Sequence, residues 1–461
     1  MSFRINLRRS FVLAALLALL PGGGARAWSG HTLCTWQALV PLAELAPLRV
    51  RAESLESFLA DQAPQLERVL ADHEVWARAN LEPYAPRPDA LAFQAADVSP
   101  GQVEELRARF LKALRLNAGS LLPLFLQLRP GEPAADRQAM PWTEITTLRS
   151  GVGARENGYV QIREGSTVTV IDVLATASNE PDYGLDLGLF ADNGTVHGQH
   201  FGFGKQPFGN SAVDYSSQAP FHMGFYHEAR IVFAAASFLR RTHPEARVAL
   251  FSTLARHAFA SGHDYWGWRF TGWALHYVQD LTQPYHASVL PGVHPARMIG
   301  INAVAMVGHE RPKLDAIALV SNRHVVVENY QYKRMVQAYE QRNMDDALLA
   351  ALRDSAHDRE HWRYQWANTR AMVSREAFDA AQALDAQLEQ SFPPHYTADP
   401  SVSLGMQADR LDMQVIARQY SAQQHQRLEQ QVAARLKRLG LHTRALVRDM
   451  LVPKAHPPTR P

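Results

Sequence analysis

The chain has a single cysteine, Cys34, among 461 residues, so no internal disulfide can form. It has no excess of charge of either sign. The 47 basic and 45 acidic residues leave a formal charge of +2, which excludes a nucleic-acid coat protein held by a basic surface. Glycine and proline, 27 each, are too sparse for a low-complexity polymer. Long apolar runs are also missing. Phe11–Leu20 is ten residues long, and no later uninterrupted run reaches the roughly 20 that a spanning helix needs. What remains is globular: 46% hydrophobic and 20% charged, with ample material for a core. By length, the chain holds two to four domains or one large one.

The first 27 residues read as a targeting signal. Arg4, Arg8 and Arg9 precede the apolar run, no acidic residue is present, and Ala25-Arg26-Ala27 fits a small-residue cleavage site. Arg8-Arg9 before Ser10-Phe11-Val12-Leu13 also fits a twin-arginine signal, so both export routes stay open. The expectation is an exported protein, periplasmic or extracellular. Loss of residues 1–27 removes four arginines and takes the formal charge from +2 to −2. Trp28 becomes the first residue, and its free amine and carbonyl oxygen are able to chelate a metal ion.

The remaining pattern is helical, and the expected class is all-α. Ser99-Pro100-Gly101-Gln102 has the spacing of a capped helix start, and Val103, Leu106, Phe110, Leu111 and Leu114 follow on one face. Helices are expected over 224–241, over 264–281, twice within about 344–391, and near the end. There Leu428, Val432, Leu436 and Leu439 repeat at helical spacing, with Gly440 as a stop. Residues 159–162 and 167–173 are β-branched enough for a short hairpin, although Ser166 fits equally as the cap of a helix. These features divide the chain into a signal peptide (1–27), a helical catalytic domain (28–392) and a helical C-terminal extension with a frayed tail (393–461). Insertions within the catalytic domain span about 40–165 and 290–320.

Three clusters carry chemistry. In His276-Tyr-Val-Gln-Asp-Leu-Thr-Gln-Pro-Tyr-His286, His276 and Asp280 share one helix face, where both can grip one ion. Pro284 ends that helix, and His286 follows on a turn. His324 and Glu328 repeat the four-residue spacing. Asn179-Glu180-Pro181-Asp182-Tyr183 exposes Asp182 on a loop, and Gly198-Gln199-His200-Phe201 supplies a histidine, with Asp186 and His197 as neighbours. Each His/carboxylate pair read alone is a local helix pair worth a few tenths of a kcal/mol. Together they offer the imidazole and carboxylate ligands common for zinc.

The order of these residues resembles the bacterial zinc-dependent phospholipase C family, whose three-zinc scaffold is shared by single-strand-specific zinc nucleases. An N-terminal Trp with an early His is followed by P-D-Y…H-F, H-x-x-x-D-x-x-x-x-P-x-H and H-x-x-x-E. The resemblance covers the mature start and roughly residues 180–330. It implies that Asp182, His200, His276 and Asp280 hold one zinc. Trp28, His31 and Asp280 hold a second, and His286, His324 and Glu328 hold the third. Asp182 would double as general base, and Tyr183 would border the head-group pocket. Gln279 stands where the family usually has glycine, and the interval from His286 to His324 is longer than in the family, with His294 and His309 inside it.

The implied activity is hydrolysis of a phospholipid to diacylglycerol and a phosphorylated head group. Zinc ions lower the pKa of water toward about 7 and clamp the attacking and leaving oxygens. Glu328, Pro181-Asp182-Tyr183 and Pro284-Tyr285-His286 resemble the phospholipases rather than the nucleases, which implies phospholipid as substrate. A membrane surface is then met transiently, and no stable nucleic-acid partner is expected. Trp28-Ser29-Gly30-His31 is nearer the nuclease pattern, which needs a base-stacking cleft such as Trp266, Trp268 and Trp273 could form. At helical spacing those three read more simply as core. A non-catalytic zinc-binding helical protein is the third reading.

Overall fold

The computed structural model describes residues 30–95, 103–361, 364–405 and 410–451. The segment expected to be a targeting signal (1–27), Trp28, the Ser99–Gln102 cap and the proline-rich tail lie outside them. The all-α expectation holds. Helices dominate, and the described strands form two antiparallel two-stranded sheets. Tyr159–Gln161 and Thr167–Thr169 are strands, but each pairs with an upstream segment, Phe125–Gln127 and Arg49–Arg51 respectively. The helix Val170–Ala177 then begins at once, capped by Thr169 rather than Ser166.

The centre of the fold is the helix Asp264–Asp280, in which every residue from Tyr265 onward is buried. A helix apolar on all sides belongs inside a protein, and Trp266, Phe270, Trp273, Leu275 and Tyr277 meet that condition. Besides Thr271, whose hydroxyl donates to the Gly267 carbonyl at 2.7 Å, four polar side chains lie among them, and each needs a partner at such depth. Arg269 finds Glu180, with Nε 3.0 and 3.1 Å from its two carboxylate oxygens, and Trp273 Nε1 donates to the same carboxylate at 2.9 Å. His276, Gln279 and Asp280 are the other three.

Around this helix pack Pro244–Ala260, Val170–Ala177 and the terminal helix Ala422–Leu451. The terminal helix also packs on the first helix, His31–Leu39, and on Ala347–Arg353. Leu428, Val432, Leu436 and Leu439 are all buried as their spacing required. Gly440 does not stop that helix. It lies inside it, where a Cβ would come within 2.2 Å of the Leu352 carbonyl oxygen. The helix expected over 224–241 is likewise shorter. Arg230–Ala235 forms one, Ala236 at φ −142° and ψ 66° breaks it, and a 3-10 turn follows. Residues 344–391 contain Ala347–Arg353 and Arg375–Ser391 as two helices.

One glycine sets how closely the central helix approaches its neighbour. A Cβ on Gly272 would lie 2.4 Å from Ala177 Cβ and 3.1 Å from backbone atoms of Ala177 and Ser178. Helix propensity alone would favour Gly272→Ala by about 1 kcal/mol. Overpacking of about 1–3 kcal/mol reverses that sign. Gly272→Ala should therefore lower the urea midpoint with an unchanged m-value.

Candidate metal centre

Three short elements converge on the C-terminal end of the central helix. The first helix begins at His31, which is fully buried at its first turn. The 3-10 turn Glu180–Tyr183 carries Asp182, and the Arg269 ion pair with Glu180 anchors that turn to the helix bearing His276. The one-turn helix Ala219–His222 ends on His222. After the central helix closes at Leu281, a second one-turn helix, Pro284–Ala287, presents His286, with Gln283 as its side-chain cap. The long helix Arg311–Glu340 supplies His324 and Glu328.

Two clusters result. In the first, Asp280 divides its oxygens. Oδ1 is 3.3 Å from His31 Nε2, while Oδ2 is 2.9 Å from His222 Nδ1 and 3.2 Å from His276 Nε2. Asp182 Oδ1 stands 3.7 Å from His276 Nε2 and 4.0 Å from His222 Nδ1. In the second, Glu328 Oε1 is 2.6 Å from His324 Nε2 and 3.8 Å from His286 Nε2. Two ligands on one tetrahedral zinc stand about 3.3 Å apart. Both clusters are buried groups of side chains that can hold a metal ion.

The surrounding hydrogen bonds orient the imidazoles. His31 Nδ1 lies 2.8 Å from Gln279 Oε1, His276 Nδ1 2.8 Å from the Ser178 carbonyl, and His286 Nδ1 2.9 Å from the His222 carbonyl. Each acceptor oxygen takes the Nδ1 proton, which leaves Nε2 with a lone pair aimed inward; metal-binding histidines are held this way. Gln279 is fixed in turn, donating to Thr35 and Thr443 hydroxyls at 2.8 and 3.1 Å. Nearly all buried polar atoms in proteins have a hydrogen-bond partner. Here His31 Nε2, Asp280 Oδ1, His286 Nε2 and His324 Nε2 are buried without one. That concentration of unmet acceptors fits a cation.

The titration of these groups follows from the same packing. Burial pushes the Asp280 carboxyl up, but the imidazoles of His276, His222 and His31 outweigh it and hold it well below the usual range. Burial pulls His222 down, yet the hydrogen bond and charge of Asp280 carry it to about 9, and His31 is raised for the same reason. His286 has no carboxylate so close. Burial takes it down to about 4, and burial with the neighbouring His286 takes His324 well below its ordinary value.

Eight residues here bear comparison with the sequence reading. His31, Asp182, His276, Asp280, His286, His324 and Glu328 come together as the family resemblance implied. His200 does not. It is exposed, because the next residue, Phe201, turns inward to the core at 1% exposure. The imidazole beside Asp182 and His276 belongs instead to His222. No carboxylate lies four residues from His222, so helix spacing gave no sign of it. A different signal was available: Pro220-Phe221-His222 repeats the form of Pro284-Tyr285-His286, and both are one-turn helices opened by proline. Trp28 lies outside the described residues. Asp186 is committed elsewhere, accepting from Arg247 and from the Tyr277 hydroxyl.

Tyr183 is also placed differently. Its ring is buried against Tyr159, and its hydroxyl donates to Gln127 Oε1 at 2.6 Å while Asn179 Nδ2 donates to it at 2.7 Å. A hydroxyl at that depth must be partnered, and its partners lie away from the metal centre. Tyr215 instead reaches the centre, with its hydroxyl 3.3 Å from Asp182 Oδ1. Trp266, Trp268 and Trp273 are core residues at 0, 5 and 0% exposure.

A cavity of about 170 Å³ opens beside the histidines. His222, His286 and His324 form part of its wall, and the rest is mostly apolar, including Phe208, Phe225, Leu239 and Met298. Among the described residues Lys313 is the one lysine or arginine lining it. No protein-family model matches the chain, and no curated protein or solved structure matches it.

Two outcomes follow. His222→Ala should remove bound metal measured by atomic absorption, whereas His200→Ala should leave the metal content unchanged. A cation bound among these side chains must displace the proton that Asp280 holds on His222, so metal uptake at pH 7 releases protons and weakens as pH falls. Calorimetry in two buffers of different ionisation enthalpy should detect that release.

Proposed function

We propose that the protein is an exported phospholipase C that uses three zinc ions to hydrolyse the head-group phosphodiester of a glycerophospholipid. The observation that carries this reading is the junction of a buried multi-histidine, multi-carboxylate centre with an apolar cavity. Phosphodiester hydrolysis needs charge neutralisation and a nucleophile at neutral pH. Bound zinc supplies both by neutralising phosphate charge and acidifying water. His276, Asp280, Asp182 and His222 would hold one ion, His31 and Asp280 a second, and His286, His324 and Glu328 the third.

The side chains of the chain itself do the rest. Asp182 is held by its turn and by the Tyr215 hydroxyl, where its carboxylate can accept a proton from water. Lys313, on the cavity wall, offers a positive charge to the substrate phosphate. The apolar wall excludes water and matches acyl chains rather than bases. A polyanionic nucleic acid would call for a basic groove and exposed stacking rings. Among the described residues that line the cavity Lys313 is the one lysine or arginine, and the three tryptophans of the central helix are in the core.

The rim adds support for a lipid substrate. The helix Pro295–Met306 buries only Met298, although residues 298–307 carry no charge. Met306 and Val307 are 69 and 75% exposed at its end. Exposed apolar side chains grouped beside an apolar cavity mark an interaction surface, and a phospholipid surface suits an uncharged one.

The test is a side-by-side assay on phosphatidylcholine vesicles, phosphatidylethanolamine vesicles and single-stranded DNA, with and without chelator. Chelator-sensitive release of a phosphorylated head group, with DNA left intact, is the expected result. Cleavage of DNA alone would move the assignment to the nucleases, and bound zinc with no hydrolysis would make the protein a zinc binder. Asp182→Asn should lower kcat by about 10²–10⁴, the usual contribution of a positioned general base, without emptying the second cluster of metal.

A further inference from the structure

A second cavity, of about 40 Å³, lies between the helix Leu55–Asn80, the turn at Arg115 and the helix Pro244–Ala260. Its wall brings together Arg87, Arg115, Arg247, His73, His243 and Glu74. Three guanidiniums around so small a space are costly unless countered. Arg247 is countered: its Nη2 lies 2.5 Å from Asp186 Oδ1. Arg87 and Arg115, at 8 and 7% exposure, form no ion pair with any described residue. Arg115 donates to the Ala85 carbonyl and the Tyr84 hydroxyl and lies 4.4 Å from the Phe203 ring centre. Arg87 Nε has no hydrogen-bond partner, and neither has Arg247 Nε.

Glu74 does not supply the missing charge. Its oxygens already accept from Arg78 Nε, the Arg87 backbone N–H and the Tyr84 hydroxyl, at 2.7, 2.9 and 2.7 Å. Three guanidiniums therefore face two carboxylates, Glu74 and Asp186. The histidines respond to the excess. Burial and the neighbouring arginines hold His243 well below its ordinary value, and burial takes His73 down to about 4. The backbone of Arg115 is held in the left-handed region at φ 52°, an uncommon conformation for a residue with a Cβ, and it faces Arg247, whose Nη2 donates to the Arg115 carbonyl at 2.8 Å.

We propose that this cavity binds one small tetrahedral oxyanion, of the sulfate or phosphate type, between the guanidiniums of Arg87 and Arg115. Guanidinium donors match such oxygens in charge and geometry. A water needs about 10–15 Å³ of such space, so the cavity takes a few waters or one oxyanion, and a lipid head group is too large for it. The proposal is independent of the phospholipase reading. The cavity is nonetheless tied to the metal centre, since Asp186, which holds Arg247, also accepts from Tyr277 and lies 3.6 Å from His222 Nε2.

The test is thermal unfolding of the full chain with sulfate, inorganic phosphate, glycerol 3-phosphate or chloride at matched ionic strength. Sulfate and phosphate should raise Tm, and glycerol 3-phosphate and chloride should not. Arg87→Gln should weaken sulfate binding at least tenfold, whereas His276→Ala should keep it, which separates this cavity from the metal centre. Equal sulfate shifts in the native protein and in Arg87→Gln would overturn the proposal, as would a matching shift with glycerol 3-phosphate. Should Arg87→Gln fail to fold, native crystals soaked in selenate decide. An anomalous peak between Arg87 and Arg115 supports the site, and a cavity without one at saturating selenate overturns it.

Discussion

The carboxylate of Asp280, fully buried with imidazoles beside both of its oxygens, is the constraint around which the rest is arranged. A charge at that depth is tolerated only beside opposite charge and hydrogen-bond donors. His31, His222 and His276 supply them, and each comes from a different part of the chain: the first helix, a one-turn helix and the central helix. The packing of those elements is therefore tied to a single side chain. The Nδ1 atoms of His31 and His276 are in turn held by Gln279 and by the Ser178 carbonyl, so the outer hydrogen bonds fix which nitrogen faces inward.

The segments outside the centre serve this arrangement in identifiable ways. Glu180 and Arg269 join the Asp182 turn to the central helix through buried charge. Gly272 allows that helix to approach Val170–Ala177, which brings the Ser178 carbonyl onto His276. The terminal helix reaches the same place through the Thr443 hydroxyl, which accepts from Gln279. The C-terminal extension is thus joined to the core that surrounds the site, through Ala445, Leu446, Val447 and Met450. The segment between His286 and His324 contributes differently. Its helix Pro295–Met306 buries little, and with the start of the following helix it walls the apolar cavity.

Part of the site was legible because four of its side chains sit in pairs on helices, where spacing is geometry. Two residues four apart on a helix share a face, so His276/Asp280 and His324/Glu328 could be paired without coordinates. His222 and His200 were not legible in that way. Both follow irregular chain, and which of two loop histidines turns inward depends on its neighbours: Phe201 takes the core position beside His200, whereas Pro220 starts the turn that carries His222 in. Tyr183 shows the same limit, because a residue adjacent to Asp182 in sequence is free to face the opposite way. The strands near residues 159–169 were visible as β-branched runs, but their partners lie tens to more than a hundred residues upstream, beyond any local pattern.

Sequence alone determined the all-α class, the apolar faces of the central and terminal helices, and the pairs His276/Asp280 and His324/Glu328, since these depend on periodicity within single helices; His31, Asp182 and His286 were indicated only by the family resemblance. Tertiary structure decided the rest: that the two clusters adjoin, that His222 completes the first, that Gln279 serves as an orienting acceptor, and that an apolar cavity opens beside them. Those facts arise from contacts between segments far apart in the chain. Such contacts are set by the burial of charge and volume in three dimensions, which no one-dimensional period encodes.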